Sequence, residues 1–583
     1  MPPLWPSTPH LFVQRAREHP DRAFIAKRTP LPGGGWGDWR SVTFGEALPK
    51  VRALAQAMID RGLGPDASVM ILSGPSIEHG LLMLAAQMAR APFTPVSAGY
   101  SLMGSGFERL RHAVDLCRPR LVFADEGALY AGALAMLAQR GDCELVTLDP
   151  APGVVTTPLT DLLAVAPTEA VDASMAQITH DTHAKTIFTS GSTGAPKGVI
   201  QTQRMLTAIV AQHEALYEKD EAHEEEAPSF LSWMPWSHVG GSNTLFADVI
   251  NEAATYYIDD GRPAPGQFEE TVRNLREVSP REFNSPPLFF SHLASAMEAD
   301  ASLRDRFFAR LRLLGYATAG LSQDLFDRIR LLAVAATGQR IPIITKYGTT
   351  ETQGTTITSK PLEMTGPIGL PFPGVRLKLA PVGDKLEIRA KGPTVTPGYL
   401  RNPEANAAAF DEEGFYRTGD AARFVDPADP AQGLIFDGRV TENFKLSSGT
   451  WVSVGNLRLA LIEALSPLIE DCVIAGENRD FIGVLAWPRL RECAAIVGAP
   501  SAPAEALRSD AVRAHVSDGL RRHNQRSGGS SGRVARLILL EDPPVGDEIA
   551  EKGYINQRAV LRRRADQVER LYAAEPGGEV IVV

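Results

Sequence analysis

Residues 188–198 read F-T-S-G-S-T-G-A-P-K-G, the segment whose residue types and spacing most directly imply chemistry. Gly191, Gly194 and Gly198 let the backbone turn tightly and bring N–H groups close to an anion. Ser190, Ser192 and Thr193 add hydroxyl donors, and Lys197 adds a mobile positive charge. Such a loop is suited to hold phosphates. It is not a Walker loop, which needs Gly-Lys followed by Ser or Thr; here Pro196 precedes the lysine and Gly198 follows it. Two carboxylates lie downstream. Glu351, closing Y-G-T-T-E, is a ligand that a hard cation accepts alongside phosphate oxygens. Asp420, closing F-Y-R-T-G-D, follows a turn glycine and suits a carboxylate projecting to accept hydroxyl hydrogen bonds. Taken singly, an acidic residue is usually a solvated surface charge, so the ordered set carries the reading.

Holding these groups together requires a layered scaffold. The glycine loop follows a strand-like run at 185–189 and precedes a helical one at 205–217. Further strands are expected at 69–72, 120–123, 186–189 and 253–258, with a helix over 77–89. This alternation predicts stacked α/β layers with mostly parallel sheets. After Phe372 the texture changes to short strands with frequent turns (376–379, 385–389, 433–436), as in a small β subdomain. From Arg439 onward strands and helices mix, as in a compact α+β unit. The expectation is therefore an α/β protein with a large multi-subdomain N-terminal domain over 1–438 and a small α+β C-terminal domain over 439–583. No repeat of 20–50 residues argues for a solenoid. Residues 218–226 carry seven charges and a histidine and read as a solvated loop or helix end, and S-G-G-S-S-G at 527–532 reads as a linker.

The length of 583 residues allows several domains, and 44% hydrophobic with 22% charged residues is ordinary for a globular chain. Cys117, Cys143, Cys472 and Cys493 lie far apart, without metal-ligand or redox spacing. A net charge of −10 and the lack of a basic block argue against nucleic-acid binding. The proline-rich start is unlike a secretory signal, and the apolar helical stretch 81–89 is too short to span a membrane. The cytoplasm, without nucleic-acid or membrane partners, is the expectation.

The glycine loop resembles the phosphate loop of the adenylate-forming superfamily, which includes acyl-CoA synthetases, luciferases and peptide-synthetase adenylation domains. The other motifs of that family follow in order. The resemblance implies a two-step, ATP-dependent ligase with a mobile C-terminal domain, using ATP, Mg2+ and coenzyme A. It assigns Thr189, Ser190, Gly191, Ser192, Thr193, Gly194 and Lys197 to the phosphates. Tyr347 would stack on adenine, with Gly348 and Thr349 beside it, Thr350 would meet the α-phosphate, and Glu351 would bind magnesium. Ala317, Thr318 and Ala319 would flank the purine; Asp420 would grip both ribose hydroxyls, with Arg439 nearby. Lys552 would reach the carboxylate and the α-phosphate in the first step. In the second, the C-terminal domain would rotate about a pivot at Thr441 and present the 447–450 loop, with Lys445 and Gly449 in that segment, to the thiol. Arg558, Arg562, Arg563 and Arg564 are candidates for the coenzyme A phosphates.

Segments 257–266, 444–454 and 552–561 are most similar to feruloyl-CoA synthetase. That likeness implies an aromatic, hydroxycinnamate-like acid, with His238 at the pocket mouth and Gly240 and Gly241 leaving room for a planar ring. Asn284, Ser285 and Pro286 resemble another pocket-lining turn. Two rivals share the fold: an enzyme handing acyl-AMP to a carrier-protein thiol, for which no carrier segment is seen before Val583, and a silent binding protein that senses acids or nucleotides. A monomer or homodimer is expected.

Overall fold

The computed structural model describes residues 1–583 except 32, 103–105, 190–194, 217–226, 264–265, 359–360, 384, 441–443, 498–502, 528, 546–547 and 550–554. Ser190, Gly191, Ser192, Thr193, Gly194, Thr441, Lys552 and the whole of the 218–226 charge run thus lie outside the described residues.

The first layer is a seven-stranded sheet. Its parallel strands Ser68–Ile71, Phe93–Pro95, Pro119–Ala124 and Glu144–Thr147 are short and apolar, as strands covered on both faces must be. The crossover helix Ile77–Met88 is capped by Ser76, whose hydroxyl accepts from His79 N–H, and every one of its residues is buried. A helix buried on every side, mostly apolar in sequence, belongs between layers. A second sheet pairs Ala23–Pro30 antiparallel with Trp36–Thr43 and parallel with Thr255–Ile258, which in turn pairs in parallel with Ser229–Ser232. Phe12, Phe24, Phe44, Trp236 and Tyr256 fill the interior between these layers.

The third sheet begins with parallel strands Glu282–Ser285, Leu313–Tyr316 and Ile343–Tyr347 and continues antiparallel through Thr356–Ile357, Pro367–Pro371, Leu434–Arg439, Tyr416–Phe424, Lys385–Lys391 and Arg376–Val382. The turn-rich β region expected after Phe372 is its antiparallel half.

The neighbourhood of the glycine loop differs from the sequence expectation. Strand His183–Thr189 is followed by an antiparallel partner, Lys197–Thr202, and only then by helix Gln203–Leu216. The loop joins two paired strands instead of a strand and a helix. The expected helix from 205 is present, but residues 197–202, given no element by the sequence, pair on a second edge too: Ile200 N–H bonds to Gly398 O and Leu400 N–H to Gly198 O. Pairing on both edges decides the matter.

The C-terminal unit has its own four-stranded sheet, Ile469–Ala475, Ile482–Pro488, Val534–Leu539 and Val580–Val582. Helices Val454–Ala464 and Asp510–Arg526 cover it around Leu461, Leu465, Val484, Val516 and Leu520. It docks on the larger part through Leu459, which lies where a Cβ on Gly320 would come within 2.7 Å. Ion pairs His292–Glu470 at 3.4 Å and Asp324–Arg489 at 3.6 Å flank that contact. Among the described residues no helix is long and apolar enough to cross a membrane.

Candidate active site

One cleft of about 2520 Å3 runs between the layers and under the C-terminal unit. Strand Ile343–Tyr347 delivers Tyr347 to its wall, and the chain then turns sharply through Gly348. A Cβ there would sit 1.5 Å from the Gln353 carbonyl oxygen, so this turn admits only glycine. Residues 348–351 consequently line the cleft in a tight loop, closed by Gln353 N–H donating to Thr349 O at 2.8 Å.

Glu351 is nearly buried and accepts a 2.9 Å hydrogen bond from the Tyr399 hydroxyl. The Tyr399 and Tyr416 hydroxyls are themselves 2.9 Å apart, and the Lys197 ammonium lies 4.2 Å from the centre of the Tyr399 ring. One phenol thereby links the loop lysine to the acidic residue. Burial and the Glu351 charge push the Tyr399 phenol above its ordinary range, so it remains a donor.

Facing them, Asp420 is buried, accepts from the Tyr347 hydroxyl at 2.8 Å and lies 3.3 Å from the Arg439 guanidinium. Its strand and that of Arg439 are direct neighbours in register. Thr318 adopts φ 75°, a left-handed conformation uncommon outside glycine, between Ala317 and Ala319 on the same wall.

The other end of the cleft is a bay of Trp233, Met234, His238, Gly240, Asn284, Pro286 and Phe372. Its His238–Gly240 edge leads into a π-helical turn, Gly240–Leu245. A π-turn is rare and is often found at functional sites. A buried polar chain holds it: Lys185 Nζ donates to Ser242 O at 2.8 Å, Asn243 bonds Gln201, and Gln201 Nε2 donates to Thr350 O at 3.2 Å. The bay is thus tied to the Tyr347–Glu351 loop. Lys185 is fully desolvated, which pulls its ammonium down to about 7.

The structure gathers Thr189, Lys197, His238, Gly240, Asn284, Pro286, Ala317, Thr318, Ala319, Tyr347, Gly348, Thr349, Thr350, Glu351, Asp420 and Arg439 on this one cleft. Several expectations change. Gly241 does not line it; a Cβ there would meet the Pro235 and Met234 carbonyl oxygens at 2.6 and 2.7 Å, so its smallness serves backbone packing. Lys445 lies over the Trp451 ring, and Gly449 sits in an exposed turn whose neighbour Thr450 bonds Ser530, away from the cleft. Arg558, Arg562 and Arg563 line the cleft, but Arg564 is buried against Glu548 at 2.7 Å. Sequence reasoning passed over Tyr399, Lys185 and Gln201. Tyr399 had a signal, a Gly-Tyr step before the helix cap Asn402, whereas the two polar residues inside strands had none.

Comparison with known proteins gives the same frame. The AMP-binding enzyme family matches residues 12–400, and the AMP-binding enzyme C-terminal domain matches 445–576. A carboxylic acid reductase of Segniliparus rugosus is 25% identical over 490 residues, covering 80% of this chain and 37% of the reductase, so the chain spans little more than a third of that relative. A long-chain-fatty-acid–CoA ligase of Mycobacterium bovis is 25% identical over 487 residues, 77% of each protein. Among solved structures, the A domain of the Segniliparus rugosus reductase with AMP and a co-purified carboxylic acid superposes with TM-score 0.73 at 19% identity, over 96% of this chain and 93% of that one. ATP-bound MatB from Rhodopseudomonas palustris gives 0.71 at 20%, over 96% and 99%. At such identities the superpositions speak for the fold. The motifs, their meeting on one cleft and the family match over both parts converge: this chain belongs to the AMP-binding enzyme family, within the adenylate-forming superfamily.

Proposed function

We propose that the chain activates an aromatic, hydroxycinnamate-like carboxylic acid with ATP and transfers the acyl group to the thiol of coenzyme A. The observation that carries this reading is the Lys197–Tyr399–Glu351 group facing Asp420 and Arg439, with an aromatic-walled bay beside it. In the first half-reaction the acid's carboxylate oxygen attacks the α-phosphorus and pyrophosphate leaves. Lys197 neutralises phosphate charge, Asp420 accepts the ribose hydroxyls, and Tyr347 and the 317–319 wall hold adenine. Glu351 suits magnesium: it is one hard oxygen ligand beside the phosphate site. No group of three or more acidic, His or Cys side chains placed to hold a metal ion exists among the described residues, so the remaining positions would fall to phosphate oxygens and water, as this ion prefers. Bound there, magnesium would supply charge neutralisation on the phosphates.

Lys552 is proposed as the cation at the attacking carboxylate. Its described neighbours Ile549 and Ile555 line the cleft while Gly449 does not, which suits the first step. In the second step the coenzyme A thiol attacks the acyl carbonyl and AMP leaves; Arg558, Arg562 and Arg563 offer cations for the coenzyme's phosphates. The domain boundary near 438 and rotation about 441 belong to this proposal. Pyrophosphate and thioester would be measured with ATP, magnesium, coenzyme A and a panel of aromatic and aliphatic acids. Pyrophosphate without thioester would favour a second reading, transfer to a carrier thiol, which the likeness to a carboxylic acid reductase supports. Neither product with any acid would refute both.

A further inference from the structure

We infer that Gln353 selects the acid, and that this acid carries a hydroxyl group which the Gln353 amide binds inside the cleft; the inference rests on the ligase reading above. Gln353 lines the cleft and is 6% exposed, yet among the described residues neither its Oε1 nor its Nε2 has a hydrogen-bond partner. A buried amide left unpaired is destabilising, and its neighbours show no such defect. Thr352 Oγ1 accepts from the Thr355 hydroxyl at 2.7 Å and from Thr349 N–H at 3.0 Å, and Gln212 Nε2 donates to Pro373 O at 3.1 Å.

The backbone supplies a second, independent sign. Gln353 adopts φ 55°, left-handed space where glycine or asparagine would be less strained. That conformation is required by the turn, because the Gln353 carbonyl lies against Gly348. The long amide side chain is not required by it. Backbone strain together with an unsatisfied buried side chain points to a ligand.

The position indicates which part of the ligand. Gln353 stands two residues beyond Glu351 and immediately before Gly354, where a Cβ would meet the Phe372 ring at 2.8 Å. An acid with its carboxylate beside Lys197 and Glu351 and its body against Phe372 passes Gln353 on the way. The amide offers one acceptor and one NH2 donor, and a hydroxyl is the smallest group that answers both.

Pyrophosphate release would be measured with purified protein, ATP, magnesium and matched acids: 4-hydroxycinnamate with cinnamate, 3-hydroxybenzoate with benzoate, and 3-hydroxybutyrate with butyrate. In at least one pair the hydroxylated acid should lead by about tenfold or more in kcat/KM, because the deoxy acid leaves the amide unpaired. Gln353→Leu should collapse that ratio toward unity. Gln353→Asn, which suits the left-handed backbone but shortens the reach, should also reduce it. Equal turnover of both members of every pair by the wild type overturns the inference and leaves the ligase reading standing. A preference that persists in Gln353→Leu overturns it as well. Silence with every acid overturns the ligase reading and the inference together. The wild-type comparison does not depend on either variant folding.

Discussion

The Tyr347 hydroxyl donates to Asp420 Oδ2 at 2.8 Å, joining residues 73 positions apart. Tyr347 ends a parallel strand and Asp420 lies in an antiparallel one of the same sheet, so the bond crosses the point where the sheet changes character. Burial and the Asp420 charge hold the tyrosine well above its ordinary pKa, which keeps it a donor. Asp420 is thus oriented by Tyr347 and by Arg439, as the proposed ribose contact requires. Tyr347→Phe should raise KM for ATP by roughly ten- to a hundredfold, the worth of one hydrogen bond to a charged group at about 1.5–3 kcal/mol, with the KM for the acid unchanged. An unaltered ATP KM would show that Arg439 alone orients the carboxylate.

Tyr399→Phe tests the link between the loop lysine and Glu351. The ring under Lys197 survives, while the 2.9 Å bonds of the hydroxyl to Glu351 and to the Tyr416 hydroxyl are lost. The expected outcome is a fall in kcat of about tenfold and a higher magnesium requirement in the adenylation half-reaction. Titrating magnesium in a pyrophosphate-release assay reads both.

Lys552→Ala should abolish adenylation and spare thioester formation. Supplied with synthetic acyl-AMP and coenzyme A, the variant should form thioester at near wild-type rate. Equal loss of both half-reactions would remove Lys552 from the first step.

Gly240 and Gly241 should separate although adjacent. A Cβ on Gly240 meets only the mobile end of Met234, at 2.6 Å, so Gly240→Leu should fold and fill the bay. Turnover of hydroxycinnamates should then fall roughly five- to 150-fold, the kinetic equivalent of about 1–3 kcal/mol of overpacking, while butyrate loses little. Gly241→Ala pushes against backbone oxygens that cannot move aside. Its cost should appear in Tm instead, with acid preference retained.

Lys185 predicts a pH dependence of stability. The folded chain releases this proton near pH 7, whereas an unfolded chain keeps it to the ordinary 10.5. Between those values the unfolded state binds more protons, so folding stability from this group rises with pH. Below pH 7 the full cost of burying the charge is felt. Measured against Lys185→Met, the wild type should gain stability, by at most a few kcal/mol, from pH 7 to pH 10. A constant difference across that range would place the ammonium outside the desolvated interior.

Much of the frame was legible because it depends on local pattern. The apolar runs around 69–72 and 120–123 and the helix from Ile77 fall within a residue or two of the observed elements. Of the site, the residues that line the nucleotide side belong to short runs with a glycine turn in each, and a turn can be read from a few positions. What escaped depends on distant partners. The strand Lys197–Thr202 is held by residues 398–400 as well as by His183–Thr189, and no property of its own six residues announces that. Tyr399 matters because it meets Glu351, 48 positions away. Gly240 and Gly241 are identical in sequence terms and differ only in what faces them, a side chain or a carbonyl. Lys445 and Gly449 illustrate the opposite case, motif residues carried away from the cleft by the placement of the unit that bears them.

Because the glycine loop joins two paired strands, no helix begins at its end. A helix N-terminus would add about half a unit of positive charge from aligned peptide dipoles, and that contribution is missing here. Residues 188–198 contain a single formal charge, the ammonium of Lys197. That ammonium lies 4.2 Å from the centre of the Tyr399 ring, and in the proposed reaction it would turn from the ring to a phosphate. Binding of a triphosphate would then exchange a cation–π contact of about 0.5–1 kcal/mol for a charge-assisted hydrogen bond. In the proposed reaction the ring would give the cation a place to return to as the pyrophosphate leaves.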